Sequence, residues 1–104
     1  MNYQKQNVEK VDMEAQENKS ILEEASEIRK GSRNSDYGDA TENFKRIAQM
    51  ASLITGTKIT PKQCVAVQIA VKLSREAYKH KRDNLVDLCG YADIMQEICE
   101  QENE

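Results

Sequence analysis

Two segments of the chain carry carboxylates at helical spacing, a pattern that can hold a divalent cation. Glu23, Glu24 and Glu27 form an E-E-x-x-E run in which side chains three and four residues apart share one helix face. Asp83 and Asp87 lie one helical turn apart in a later, mostly apolar segment. Neighbouring like charges destabilise a helix, and bound Mg²⁺ or Mn²⁺ would turn that repulsion into attraction. The alternative is a solvated acidic face, which a helix N-terminus favours in any case.

Basic and polar residues elsewhere could bind a phosphorylated ligand. Lys72 and Arg75 are three residues apart in a helical pattern, and Arg offers bidentate contacts to phosphate oxygens. The alternative for this pair is again a solvated helix face. The loop at residues 31–40 (GSRNSDYGDA) is rich in hydrogen-bonding side chains, among them Arg33, Asp36 and Tyr37. Tyr37 could stack on a nucleobase or serve as a packing anchor.

The remaining chemically active residue types favour no further site. Cys64, Cys89 and Cys99 form no CxxC motif and have no adjacent base, so we expect reduced thiols in a cytosolic protein. The single histidine, His80, excludes a His-rich zinc site and is more typical of a surface residue near a helix end. Oxygen-ligated cations such as Mg²⁺ or Mn²⁺ therefore remain.

Length and composition limit the classes of protein that need considering. The chain has 104 residues, 38% of them hydrophobic and 32% charged, which fits one domain with a modest core. No apolar run approaches the ~18 residues of a membrane span, and the N-terminus lacks a secretory h-region. The net charge of −3 comes from the chain ends, since residues 97–104 contain four Glu and no base. The body is mildly basic without a clustered stripe, so duplex nucleic acid is not an expected partner.

Start and stop signals predict four helices and no strands. Ser20 and Glu23 form a capping box that opens a helix over 21–30, and Gly31 ends it. Thr41 is predicted to cap a second helix that ends at Gly56. Thr60-Pro61 opens a third helix, and the predicted ranges of the last two helices are 61–79 and 83–99.

The fourth predicted helix is apolar nearly all round, which indicates burial on several sides or against a second subunit. Gly90 in its interior costs about 1 kcal/mol, so we expect another group to approach the backbone there. Asp87 lies among apolar neighbours and needs a cation, a base or hydrogen-bond donors. Outside the helices, residues 1–19 read as a polar arm that is disordered or folds on docking, and residues 100–104 as an acidic tail.

Two sequence signatures, one after the other along the chain, resemble those of a family of small phage and prophage proteins of unassigned function. The first runs from Arg33-Asn34 through Asp36-Tyr37-Gly38-Asp39 to Glu42-Asn43-Phe44 and Arg46-Ile47-Ala48. The second contains Lys72 and Arg75 and continues from His80 to Ala92, with one extra residue between His80 and Asp83. The resemblance covers about residues 21–95.

That family is in turn similar to the MazG-like all-α nucleoside triphosphate pyrophosphohydrolases. The resemblance implies a four-helix MazG-like domain at residues 20–99, a homodimer or homotetramer, and Mg²⁺ (or Mn²⁺) bound by an E-E-x-x-E helix and an E-x-x-D helix. The first motif corresponds to Glu23, Glu24 and Glu27. In the second motif Asn84 replaces the Glu, which leaves Asn84-x-x-Asp87, and Asp83 lies about 100° away around the helix.

The expected function is Mg²⁺-dependent binding of a nucleotide, with hydrolysis of (d)NTP to (d)NMP and pyrophosphate as its catalytic form. Glu24, Glu27 and Asp87 would hold the metal and orient water, and Lys72 and Arg75 would neutralise the phosphates. The loop 33–39 together with Asn43 would shape the base or ribose pocket, and Asn84 is a further candidate ligand-binding residue. The alternative is a non-catalytic phage accessory or anti-defence protein that binds a host protein or sequesters a nucleotide signal. A ligand-free structural oligomer is a third interpretation, and all three place the protein in the cytoplasm of the infected bacterium.

Overall fold

The computed structural model describes residues 18–31 and 39–103, which form four α-helices. These are α1 (Ile21–Lys30), α2 (Ala40–Thr55), α3 (Pro61–Tyr78) and α4 (Arg82–Glu102). No strand occurs among the described residues, so the predicted all-α architecture is confirmed. The predicted arm at residues 1–19 lies outside the described residues except for its last two positions. No described helix is both long and apolar enough to cross a membrane.

The ends of α1 and α3 follow their local capping signals. The Ser20 hydroxyl accepts a hydrogen bond from the Glu23 backbone N–H at 3.0 Å, which is one half of the predicted capping box. At the start of α3 both halves are present. The Thr60 hydroxyl accepts from the Gln63 N–H at 3.1 Å, and the Gln63 side chain accepts from the Thr60 N–H at 2.9 Å. These bonds satisfy donors that a helix N-terminus otherwise leaves unpaired.

The start of α2 differs from the prediction, and its end agrees with it. Asp39 occupies the N-cap position, and Thr41 is a fully buried residue of the first turn. The Thr41 hydroxyl donates to the Asp39 carboxylate at 2.5 Å and accepts from the Gln101 amide of α4 at 3.2 Å. The predicted cap at Thr41 is therefore wrong, because its hydroxyl serves a contact between helices. Gly56 ends α2 with φ +70°, a left-handed conformation that glycine adopts without a Cβ clash.

The core lies where α2, α3 and α4 meet. Its buried members come from all three helices: Phe44, Ala48, Cys64, Val65, Ile94 and Ile98. The Phe44 and Tyr91 rings pack edge to face with their centroids 6.2 Å apart. The helix α4 contacts each of the other three, and α1 packs against α4. These three neighbours account for the apolar character of α4 without a second subunit.

Two expectations about α4 are corrected by its surroundings. A Cβ built on Gly90 would have no described neighbour within 4 Å outside the local backbone, so the expected close approach is wrong for the described part of the chain. The helix also continues to Glu102, beyond the predicted end at residue 99. The first three residues assigned to the acidic tail are therefore helical.

Candidate functional site

The E-E-x-x-E carboxylates lie at the end of α1 that faces the start of α4. Glu24 Oε2 accepts from Arg82 Nε at 3.1 Å, and Glu27 Oε2 lies 2.6 Å from Lys19 Nζ. Arg82 also donates to the Lys19 carbonyl at 2.6 Å. The Glu23 side chain is exposed. Exposed ion pairs of this kind contribute little to the free energy of unfolding, with a median of about 0–1 kcal/mol. The carboxylates can therefore exchange partners at low cost.

The relative direction of α1 and α4 follows from contacts at their two ends. Glu24 near the start of α1 meets Arg82, and Arg29 near its end meets Asp93 and Glu97 at 2.9 and 2.6 Å. The two helices are therefore parallel neighbours. This arrangement places the acidic run of α1 beside the first turns of α4, which contain Asp83 and Asp87.

A half-buried ion pair joins α3 to α4. Lys72 Nζ lies 2.6 Å from Asp87 Oδ2, and the two side chains are 14% and 15% exposed. The prediction that Asp87 needs a cation, a base or hydrogen-bond donors agrees with this contact, in which the basic side chain of Lys72 is the partner. Shielding from water strengthens the attraction between the charges, and it also makes a lone charge at this place costly.

Asn84, which takes the place of the glutamate in the second motif, packs against α3. Its side chain is buried, and its amide donates to Glu76 Oε1 at 3.0 Å. Glu76 Oε1 also accepts from the Lys81 backbone N–H at 3.1 Å, and its other oxygen contacts His80 Nδ1. The hydrogen bonds from Asn84, His80 and the Lys81 backbone lower the pKa of Glu76 to about 2. Asn84 therefore contributes to the helix contact, and its expected ligand role stays a prediction.

Sequence reasoning missed Glu76, which organises this corner. A usable signal was present, because Glu76 and Lys72 are four residues apart on α3 while Asn84 and Asp87 are three apart on α4. Two polar pairs on consecutive helices with a short connection can face each other across the hairpin. The structure shows this arrangement, with Lys72 opposite Asp87 and Glu76 opposite Asn84.

The other predicted site residues are not all within the described part of the chain. Asp83 and Arg75 are exposed on α4 and α3, and Asn43 is half-buried on α2. Residues 32–38, which contain Arg33, Asp36 and Tyr37, lie outside the described residues. Within 18–31 and 39–103, no three His, Cys, Asp or Glu side chains are close enough together to hold one metal ion.

A cleft of about 370 Å³ lies between α1 and α4. The apolar Leu22 and Ala25 line it together with charged residues of both helices, and Arg29 is paired there with Asp93 and Glu97. Cys89 also lines the cleft, and all three cysteines are free. Burial raises the pKa of the Cys64 thiol, which agrees with the prediction of unreactive reduced thiols.

The four helices and the polar cluster of Lys72, Glu76, Asn84 and Asp87 between α3 and α4 define a small helical protein. Comparison with known proteins identifies its family. The model of a domain of unknown function, DUF6378, matches residues 20–99, so the chain belongs to that family. The chain is similar to the Gene 55 protein of Mycobacterium phage L5, with 37% identity over 87 residues that cover 82% of this chain and 56% of the relative. The Gene 55 protein of Mycobacterium phage D29 is 36% identical over 83 residues, 79% of this chain and 55% of the relative.

The chain thus spans about half the length of the curated relatives it matches. No solved structure matches it. The predicted membership of a phage protein family is confirmed. The more distant likeness to MazG-like hydrolases stays a prediction.

Proposed function

We propose that this phage-family protein binds a nucleotide or a similar phosphorylated ligand together with Mg²⁺ or Mn²⁺ where α3 and α4 meet. The observation that carries the proposal is the half-buried pair of Lys72 and Asp87. A metal–phosphate ligand brings a positive and a negative charge side by side. It can therefore separate this pair and give each member a new partner, Asp87 the cation and Lys72 a phosphate oxygen.

Further contacts to the ligand would come from Arg75 and from the carboxylates of α1. Arg75 is exposed one turn along α3 from Lys72 and makes no ion pair within the described residues, so it is available for phosphate. Glu24 and Glu27 are held by Arg82 and Lys19 through exposed pairs that a divalent cation can displace. The proposed base and ribose contacts from Arg33, Asp36, Tyr37 and Asn43 stay a hypothesis.

Catalysis is the less supported form of this proposal. Hydrolysis of (d)NTP to (d)NMP and pyrophosphate needs a metal-activated water and full neutralisation of the phosphates. The second motif has Asn84 in place of a carboxylate, and that side chain is buried against Glu76. This observation favours the second candidate, a non-catalytic accessory or anti-defence protein that sequesters a nucleotide signal in the cytoplasm of the host. A host protein is the other ligand to test for that candidate.

The test combines thermal stabilisation by each NTP and dNTP, with and without Mg²⁺ or Mn²⁺, and release of pyrophosphate. We expect metal-dependent stabilisation by at least one nucleotide. Asp87→Asn and Lys72→Met should each weaken that binding at least tenfold. Glu100→Gln is the matched control, because Glu100 is exposed on α4 and, among the described residues, accepts a hydrogen bond from the neighbouring Gln96, and it should bind like the wild type.

Circular dichroism of each variant separates loss of the site from loss of the fold. Stabilisation without pyrophosphate release supports the sequestering protein, and release supports the enzyme. If no nucleotide stabilises the wild type with either metal, the proposal is wrong. Undiminished binding by the Asp87→Asn variant would remove Asp87 from the site.

A further inference from the structure

The cleft between α1 and α4 leaves Leu22 of α1 largely in water. Leu22, Ala25 and Ser26 of α1 and Cys89 of α4 line this cleft, whose volume is about 370 Å³. Leu22 is 71% exposed, although Ala25 about one turn further along α1 is buried. An element that covered Leu22 would remove apolar surface from water, which is favourable. The lining includes none of the residues proposed above to bind a ligand.

The chain enters α1 through a short connection beside this cleft. Residues 18–20 link the preceding segment to α1, which begins at Ile21. Arg82 of α4 donates to the Lys19 carbonyl at 2.6 Å, so the connection is held against the start of α4. Helices joined by about two to five residues pack antiparallel as a hairpin. A helix that ended at residue 17 would therefore run back along α1.

The segment before the connection has an apolar row at helical spacing. Val8, Val11 and Ala15 follow one another at intervals of three and four residues, which places them on one side of a helix. Residues 1–17 are also long enough to cover α1, which has ten residues. The segment precedes residues 20–99, the part of the chain that matches the family model.

This apolar row and the cleft come into register in an antiparallel hairpin. Three residues of α1 line the cleft at intervals of four and three, which is the spacing of the row read in reverse: Leu22, Ser26 and Arg29. Positions equally distant from the bond between residues 18 and 19, which lies within the connection, pair Ala15 with Leu22, Val11 with Ser26 and Val8 with Arg29. The small side chains of the row allow a close approach to α1. Arg29 can cover Val8 with its aliphatic part while its charged end stays paired with α4.

We propose that residues 8–17 form a helix that packs antiparallel to α1 in the cleft between α1 and α4, with Val8, Val11 and Ala15 turned toward the cleft. The docked segment covers Leu22 and adds a neighbour to α1, which among the described helices packs on α4. The connection at 18–20 keeps the segment at a high effective concentration beside the cleft, so a small contact area is sufficient.

The first test is a disulfide between the segment and the cleft in the full chain. Cys89 lines the cleft and is half-buried, so Val11→Cys should form an intramolecular disulfide with it on mild oxidation. Lys10→Cys is the matched control, because consecutive residues of a helix point about 100° apart, and it should give less than a tenth of the product. Adding Cys89→Ser to Val11→Cys should abolish the link, and mass spectrometry of peptides identifies the bonded pair.

The second test is hydrogen exchange of the wild type, in which the amides of residues 8–15 should exchange at least tenfold more slowly than in an unstructured chain. Leu22→Asp should remove this protection and leave the protection of α3 and α4 unchanged. Leu53→Asp is its control, since Leu53 is an exposed apolar residue of α2, and it should retain the protection.

Three results would overturn the proposal. Residues 8–15 of the wild type could exchange at the rate of an unstructured chain, or Leu22→Asp could leave their protection intact. Val11→Cys and Lys10→Cys could link equally well to Cys89. A disulfide that joins two molecules instead of closing within one would place the segment on another copy, and this result also contradicts docking in its own cleft.

Discussion

Glu76 ties the end of α3 to the start of α4 through the hydrogen bonds that its two carboxylate oxygens accept. The donors are the buried Asn84 amide and the Lys81 backbone N–H, and His80 contacts the second oxygen. Each of these contacts favours the ionised carboxylate, which is why the pKa of Glu76 falls to about 2 from its ordinary value of 4.5. The ionised carboxylate of Glu76 therefore holds the end of α3 against the start of α4.

The depressed pKa of Glu76 predicts a pH dependence of stability. The stabilisation from ionised Glu76 is fully present above pH 4.5 and is lost as the pH falls toward about 2, because the unfolded chain takes up the proton first. Glu76→Gln should be less stable than the wild type near neutral pH and should lose less stability on acidification.

Urea denaturation at about pH 6 and about pH 3 measures this difference. Other carboxylates contribute to the acid response of both proteins, and the comparison with the variant isolates the part that belongs to Glu76. Equal losses in the two proteins would show that Glu76 has an ordinary pKa in the folded state.

Local sequence signals were sufficient to predict the helices, because a cap involves residues within three or four positions of each other. The Thr60 capping box and the stop at Gly56 are examples. The spacing of Lys72, Glu76, Asn84 and Asp87 permits their pairing across the hairpin, but tertiary packing decides the rotation of α3 against α4 that brings them together. Thr41 was misassigned for the same reason, since its partner Gln101 is 60 residues away.

Substitutions at two glycines test the backbone requirements of a helix interior and of a helix end separately. Gly90 lies inside α4 with room for a Cβ, so Gly90→Ala should stabilise the protein by about 0.5–1 kcal/mol. Gly56→Ala should destabilise it by about 1–2 kcal/mol, because φ is +70° at that position. The shift of the urea midpoint measures both effects. Destabilisation by Gly90→Ala would mean that another part of the chain or a partner does approach this backbone.

At the scale of the whole molecule, α4 is the helix that joins the others. Among the described helices α1 packs on α4, whereas α2 and α3 also pack on each other. Arg29, 12% exposed at its side chain, bridges α1 to Asp93 and Glu97. The attachment of α1 thus depends on one helix contact and a few charges, and α1 should open more easily than the α3–α4 hairpin.

Hydrogen exchange can measure this difference between helices. In the wild type, α1 amides should exchange faster than the central amides of α3 and α4. Arg29→Ala should accelerate exchange in α1 a further fivefold or so, which corresponds to about 1 kcal/mol, and leave α3 unchanged. Lys45→Ala, which breaks the exposed pair with Glu42 on α2, is the control and should not alter α1. Equal acceleration in all helices would instead indicate global unfolding.

The position of α1 in the chain also determines when its packing against α4 can form during synthesis. The contacts of α1 with α4 join residues 58 and 64 positions apart, whereas α3 and α4 are connected by only a few residues. Closing a short loop costs less entropy, so the α3–α4 hairpin should form early. During synthesis α1 leaves the ribosome before α4, so a nascent chain carries the apolar side of α1 uncovered until α4 has also emerged.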